Sequence, residues 1–491
     1  MAQSSLKEKT VSGVGWSAAE AFLGQGVTFI VGIILARLLS PAEYGLIGIV
    51  TIFTVILTGI VDSGFSNALI RKQDVSDEDY NTMFVTNMVF SIVLFIALFF
   101  CAPYIADFFG RLELIDLTRV MGSIIIIQAL SLVHNTILTK QIDFKTKTKA
   151  SVISAIISGV IGIGMALTGF GVWALVGQLL SRQFFYTVLL WVYLHWIPSF
   201  HCNGESFRYM WGFGWKLMVS GLLNNIWNQL YQVVVGKFYS PDTLGQYSRA
   251  KDYASIFSSN LTTVVQRVTY PVLSEVQNEK ERMLLAYRKV IKATMFVTAI
   301  LMISLGAVAG PLIYCLIGPQ WEEAASYLPL ICLSMSLYPL HAINLNMLQV
   351  QGRSDIFLIL EIIKKIIAIG PLCLGIFVNI YWMLLGTVIS GVIAFFLNSY
   401  YTGKKLGYSS WMQLRDITPS YCIAFLVALS VYFLKYLPLS NWIILPIQLI
   451  VGAIVFFIVC ENLKLEEYTD VKGMALQYIS RFRNSIIKKI K

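Results

Sequence analysis

Apolar runs of about 20 residues follow one another along nearly the whole chain, and each is long enough to cross a bilayer as a helix. Of the 491 residues, 57% are hydrophobic and 13% charged, against roughly 25% charged in a soluble domain. In hydrocarbon every backbone N–H and C=O must pair within its own segment, which leaves helices as the spanning element for runs of this length. The pattern therefore predicts an all-α integral membrane protein of about 14 transmembrane helices. They are expected near 12–36, 42–62, 82–109, 116–138, 150–169, 172–194, 209–236, 243–270, 288–315, 323–349, 356–377, 380–402, 415–436 and 441–461. The connections are short, so no soluble domain fits between the helices.

The first apolar run extends from about Val11 to Ala36, too long for a signal-peptide core, and reads as an uncleaved first span. The seven cysteines stand singly, mostly inside apolar runs, with no C-x-x-C. They read as small apolar side chains rather than disulfides or metal ligands.

Lysine and arginine in the loops set the orientation. One side collects Lys7, Lys9, Arg71, Lys72, Lys140 to Lys149, Arg208, Lys280 to Lys292, Arg353, Lys404, Lys405 and the C-terminal tail. The other side holds only Arg37, Arg111, Arg119, Lys237, Arg249, Lys251 and Lys435. Both termini are expected on the cytoplasmic side, and the net charge of +10 is mostly this asymmetry, so nucleic acid is not needed to explain it. The tail "MALQYISRFRNSIIKKIK" places apolar residues at helical spacing among basic ones, as an interfacial helix on an anionic leaflet would.

Two stretches repeat. "GVGW" leads to "ARLLSPAEYG" at 36–45, and "GFGW" leads to "GKFYSPDTLG" at 236–245. Pro41 and Pro241, like Gly45 and Gly245, stand 200 positions apart. A weaker echo, "LTKQIDFK" against "LQVQGRSD", offsets Gln141 and Gln351 by 210. The chain thus divides into an N-terminal lobe (1–208, spans 1–6) and a C-terminal lobe (209–402, spans 7–12). Two appended spans (403–463) and a basic amphipathic tail (464–491) follow. Six spans per half is an even number, so the repeat is parallel, about an axis along the membrane normal.

Span 7, "GWKLMVSGLLNNIWNQLYQVVVG", is the most polar of the long runs. Leu222, Val233, Ile226, Val219, Leu230 and Leu223 fill one continuous arc of about 100°. Lys216, Ser220, Asn224, Asn228 and Gln232 form an i, i+4 row across the other side, with Asn225 and Gln229 beside it. On span 8, Asp252, Ser255, Ser259, Thr263 and Gln266 share a side, with Arg249 and Arg267 at its edge. Glu20 and Gln25 on span 1, and Thr51, Thr54, Thr58 and Asp62 on span 2, make a sparser version. Hydrogen bonding between helices accounts for single polar groups such as Thr51 or Thr263. A row about four turns long with a lysine about two turns deep points instead to a hydrated cavity between the halves. Lys216, Arg249, Lys251 and Arg267 make its wall positive, with Asp252 opposing, which suits an anionic passenger such as a diphosphate. Arg249, Lys251 and Arg267 also admit a reading as helix-end cations that snorkel.

The runs "ARLLSPAEYGLIGIV", "DSGFSNALIRK" and "GKFYSPDTLGQYSRAKDY" resemble the bacterial polysaccharide-export flippases, the Wzx-like branch of the superfamily that also holds multidrug extruders and lipid II flippases. The resemblance implies two six-helix lobes in a V, with spans 1, 2, 7 and 8 lining the cavity. The implied passenger is an oligosaccharide on undecaprenyl diphosphate, moved to the outer leaflet by alternating access for O-antigen, capsule or exopolysaccharide synthesis. A polysaccharide polymerase and chain-length machinery are the implied neighbours. No cofactor is expected. Proton or sodium coupling, helix capping and salt bridging all stay open for Glu20, Asp62 and Asp252.

Two other classes would share parts of this pattern. A multidrug or cation antiporter of the same superfamily would share the fold, but the positive wall argues against it. A membrane glycosyltransferase or polymerase would need a catalytic domain or a large outer loop. The acidic cluster "DEDY" (77–80) reads as a solvated helix start, and none of the four histidines has a neighbour that suggests catalysis.

Overall fold

In the computed structural model, residues 23–62, 64–276, 278–465, 467–469 and 472–473 are described. Glu20 and the tail from 474 onward lie outside them, as does the side chain of Arg267. Among the described residues the chain is helical, with no strand. Among the described residues ten helices are long and apolar enough to cross a membrane. They include α2 (Pro41–Asp62, continued by α3, Phe65–Arg71), α4 (Asp77–Phe109), α5 (Leu114–Lys140), α6 (Phe144–Leu167) and α7 (Val172–Leu194). Four further expected spans fall on helices that are shorter or more polar. These are α1, described over Leu23–Leu38, α8 (Gly204–Phe238), α9 (Pro241–Glu275), and the pair α14 (Ser354–Ile367) and α15 (Ile369–Phe377). At about 1.5 Å per residue, α8 and α9, each of 35 residues, are about 52 Å long and overreach the hydrocarbon core.

Three spans expected to be continuous are broken, each just before a proline. Span 9 becomes α10 (Lys280–Ala307) and α11 (Ala309–Ile317), with Pro311 inside the new first turn. Span 10 becomes α12 (Glu322–Met335) and α13 (Tyr338–Val350), with Pro339. Span 11 breaks at Ala368, ahead of Pro371. In each case the proline has no N–H for the carbonyl four residues back, and its ring crowds that carbonyl. The remaining helices are α16 (Ile380–Leu406), α17 (Ser410–Tyr432) and α18 (Asn441–Leu463).

Contacts divide the chain into two units, Met1–Gly245 and Gln246–Lys491. The first unit therefore takes in α8, which the sequence repeat assigns to the C-terminal lobe. Inside this unit the two copies of the Ser-Pro-x-x-x-Gly motif meet. A Cβ on Gly45 would lie 1.8 Å from the Pro241 carbonyl oxygen, and one on Gly245 would lie 1.9 Å from that of Pro41. The first turns of α2 and α9 thus cross backbone to backbone, which only glycine permits.

The weaker echo is structural as well. Asp143 N–H donates to Leu138 O and Arg353 N–H to Leu348 O, both at 2.9 Å, closing α5 and α13 with the same cap. The left-handed position of that cap is Gly352 (φ 70°) in one copy and Ile142 (φ 60°) in the other. A β-branched residue at positive φ is strained.

The second unit has its own core, built around Tyr287, Met295, Leu340, Met347, Phe395 and Ile417. The appended α17 is fastened there. Arg288 donates two hydrogen bonds to Asp416 at 2.5 and 2.7 Å, and Tyr408 adds a third at 2.6 Å.

Candidate functional site

The site is best built from the end of α2. Gly64 stands between α2 and α3 with a left-handed φ of 69° and is the residue that precedes the first turn of α3. Ser66 Oγ donates to Asp62 Oδ1 at 2.5 Å and ties the two sides of the break together. The side chain of Phe65 is fully buried and packs edge-on against Phe207 and Trp211 of α8, each at 6.3 Å between centroids. Lys140, ending α5, donates to the carbonyls of Leu69, Lys72 and Gln73 and so closes the C-terminus of α3. The neighbouring helix α4 starts with a capping box between Ser76 and Asp79. Asp79 also pairs with Lys72 at 2.7 Å. The "DEDY" cluster is thus a helix start, but not a wholly solvated one: Asp79 is fully buried because its carboxylate ties the loop to the helix.

These supports hold open a cleft of about 430 Å³. Thr58 and Asp62 of α2, Asn67 of α3, Gln128 of α5 and Asn225 of α8 supply its polar lining. Val55, Leu217 and Met218 supply the apolar part. Helix α8 comes close because Gly59 and Gly64 leave room for it. A Cβ at Gly59 would sit 2.5 Å from Asn225 Nδ2, and one at Gly64 would sit 2.8 Å from Gly214 O. Among the described residues, no hydrogen bond engages the side-chain amides of Asn67, Gln128 or Asn225. Three free amides and a half-engaged carboxylate converge on one space, and none of the lining residues is a cation.

The expected polar residues are divided by this arrangement. Thr58 and Asp62 line the cleft and Thr51 and Thr54 do not, although all three threonine hydroxyls donate back to carbonyls of their own helix. On α8, Leu217, Gly221 and Asn225 form the i, i+4 ridge that faces the cleft. The predicted row, Lys216, Ser220, Asn224 and Asn228, is the next ridge, about 100° round the helix, and does not line it. Lys216, Asn224 and Asn228 are exposed and Gln232 is half-buried. No ion pair or hydrogen bond engages Lys216 among the described residues. On α9, Arg249 pairs with Asp252 at 3.8 Å, so its charge is partly compensated, and Lys251 is half-buried.

Other polar residues lie inside expected spans but outside the predicted rows. Gln128, Ser131 and Asn135 follow one another at i, i+3, i+7 on α5; Gln183 Nε2 of α7 donates to Ser131 Oγ at 3.3 Å, and Tyr186 OH to Asn135 Oδ1 at 3.2 Å. Arg182 stands half-buried at the middle of α7 with no ion pair among the described residues. Glu361 and Lys364 pair at 2.5 Å within α14. The signal for all of these was charge or amide inside an apolar run, the ordinary mark of an intramembrane functional position.

The chain is 27% identical to the succinoglycan biosynthesis transport protein ExoT of Rhizobium meliloti (strain 1021) over 75% of each chain. It is 21% identical to the lipopolysaccharide biosynthesis protein WzxC of Escherichia coli (strain K12) over 76% of each. Among solved structures, the lipid II flippase MurJ in an inward closed conformation superposes with a TM-score of 0.69 at 16% identity, covering 93% of this chain and 100% of that one. The pattern of the polysaccharide biosynthesis protein family matches residues 34–326. The chain belongs to that family, and it is a multi-pass membrane transporter rather than an enzyme.

Proposed function

We propose that this protein is a flippase for lipid-linked oligosaccharides, carrying polyprenyl-diphosphate-linked sugar units from the inner to the outer leaflet of the bacterial cytoplasmic membrane. A sugar chain with a diphosphate cannot cross hydrocarbon unaided, because its hydroxyls and charges would lose their water without replacement. The observation that carries the reading is α8 in its family context: a lysine, Lys216, with no partner among the described residues, a ridge of exposed amides, and a polar cleft beside it. Amides both donate to and accept from sugar hydroxyls, and a lysine offers a point charge to a phosphate. Access opening to one leaflet at a time would move the headgroup while the polyprenyl tail stays in lipid. The lysine and arginine asymmetry supports an orientation with both termini on the cytoplasmic side.

One observation favours a second reading. Asp62 is the one charged group among the lining residues of the cleft, as the site of a cation exporter would have. The test is transport of a fluorescent polyprenyl-diphosphate oligosaccharide in proteoliposomes, with cationic-dye efflux measured in parallel. Flipping that falls in Lys216→Ala at unchanged protein level is the expected result. Dye efflux without flipping would reject the flippase reading and leave the antiporter.

A further inference from the structure

We propose that the cleft at the end of α2 is a subsite for an uncharged sugar ring and that Asp62 excludes acidic sugars from it. The proposal rests on the flippase reading and names what one part of that protein selects. Its size is the first argument. A volume of about 430 Å³ falls in the range of small-molecule sites, roughly 300–1,000 Å³. A lone monovalent ion would leave it filled with about a dozen waters at about 30 Å³ each.

The lining chemistry is the second. Asp62 Oδ1 already accepts from Ser66, which leaves Oδ2 to accept from a ligand hydroxyl. The side-chain amides of Asn67, Gln128 and Asn225, free among the described residues, can each donate and accept, which matches a ring bearing several hydroxyls. Val55, Leu217 and Met218 supply an apolar wall for its C–H face. Among the described residues Asp62 is the one charge in the lining and no cation stands there with it, so a uronate carboxylate entering here would face a like charge in a partly desolvated space.

Position is the third argument. The cleft lies one short helix, α3, from the basic Arg71–Lys72 turn, the cytoplasmic end in the proposed orientation. A headgroup assembled on that side would therefore meet the cleft on entry.

The experiment compares two synthetic polyprenyl-diphosphate probes in proteoliposomes, one carrying a neutral hexose and the other the corresponding hexuronic acid. Wild-type protein should flip the neutral probe at least about tenfold faster, since opposed like charges cost several kcal/mol. Asp62→Asn, which keeps the size and hydrogen bonding, should narrow that ratio to about twofold or less. Asn67→Asp, on the exposed face of α3, should widen it, and it stands in if Asp62→Asn does not fold. Gly221→Leu should slow both probes, because Gly221 lines the cleft and a Cβ there meets nothing within 4 Å, so the added side chain starts in open space and takes up volume in the cleft. A ratio unchanged by either charge variant overturns the subsite. So does equal loss of both probes in Asp62→Asn together with loss of sodium or pH dependence, which would make Asp62 an ion-coupling group. A wild-type protein that flips neither probe rejects the flippase reading itself, a separate result.

Discussion

Replacing Gly45 by alanine tests the crossing of α2 and α9 most directly. The added Cβ would lie 1.8 Å from the Pro241 carbonyl oxygen, so an ordinary 3.4 Å contact requires the two backbones to part by about 1.6 Å. At Gly245 the corresponding distance to Pro41 O is 1.9 Å and the required movement about 1.5 Å. The obstacle in both cases is helix backbone, which cannot change rotamer to escape. Overpacking of this kind typically costs about 1–3 kcal/mol. For a unit of 245 residues this corresponds to roughly 2–4 °C in thermal midpoint for each kcal/mol. The two clashes share one crossing, so a single separation of the helices relieves both. The double variant Gly45→Ala/Gly245→Ala should then cost clearly less than the sum of the singles, a coupling of about 1 kcal/mol between touching sites. Thermal unfolding of the purified protein in detergent, with both singles and the double side by side, measures this. Singles within about 0.5 kcal/mol of wild type, the usual range of a harmless surface change, would refute the close approach. Strictly additive losses would refute the shared crossing.

Three further outcomes follow from particular contacts. Ile142→Gly should stabilise the protein by about 1 kcal/mol by releasing a β-branched residue from a left-handed conformation, and Gly352→Ile should cost a similar amount; thermal midpoints check both. Arg288→Ala removes both guanidinium bonds and leaves the buried Asp416 carboxylate with Tyr408 as its hydrogen-bond partner; because the arginine side chain is 45% exposed, the loss should be about 1–2 kcal/mol. Earlier protease cleavage near α17 would report it, and an unchanged digestion pattern would argue against the pair as its fastening. Arg182→Ala should slow probe flipping in proteoliposomes without lowering the thermal midpoint, since no partner among the described residues loses an ion pair. A fallen midpoint with normal flipping would make Arg182 structural.

The amino-acid sequence determined the solvent and the element. Runs too apolar for water and too long for a core strand become spanning helices whatever their neighbours, so the bounds of α2, α7 and α18 lie within about two residues of those expected. It also carried the repeat, because the Ser-Pro-x-x-x-Gly turn and the Leu138-to-Asp143 cap are local structures written in consecutive residues. The proline breaks in α10–α11, α12–α13 and α14–α15 were equally local but were read as spans without interruption. Pro103, Pro329, Pro419 and Pro446 sit inside continuous helices, so proline alone does not announce a break.

What tertiary structure alone decided is which polar residues meet. A helical wheel ranks the Lys216 row as the functional face of α8 because it is continuous. The cleft instead takes the adjacent ridge, because Gly59 of α2 and Gly64 at the start of α3 leave room for α8 at Asn225 and Gly214. Gln128 comes from a helix distant in sequence, and Asn67, though close to Asp62 in the chain, lies beyond the turn at Gly64, so the spacing of neither helix says that they share a space with Asp62. Periodicity reports the faces of one helix. A site assembled from four depends on how closely their backbones approach, and here glycines set that distance.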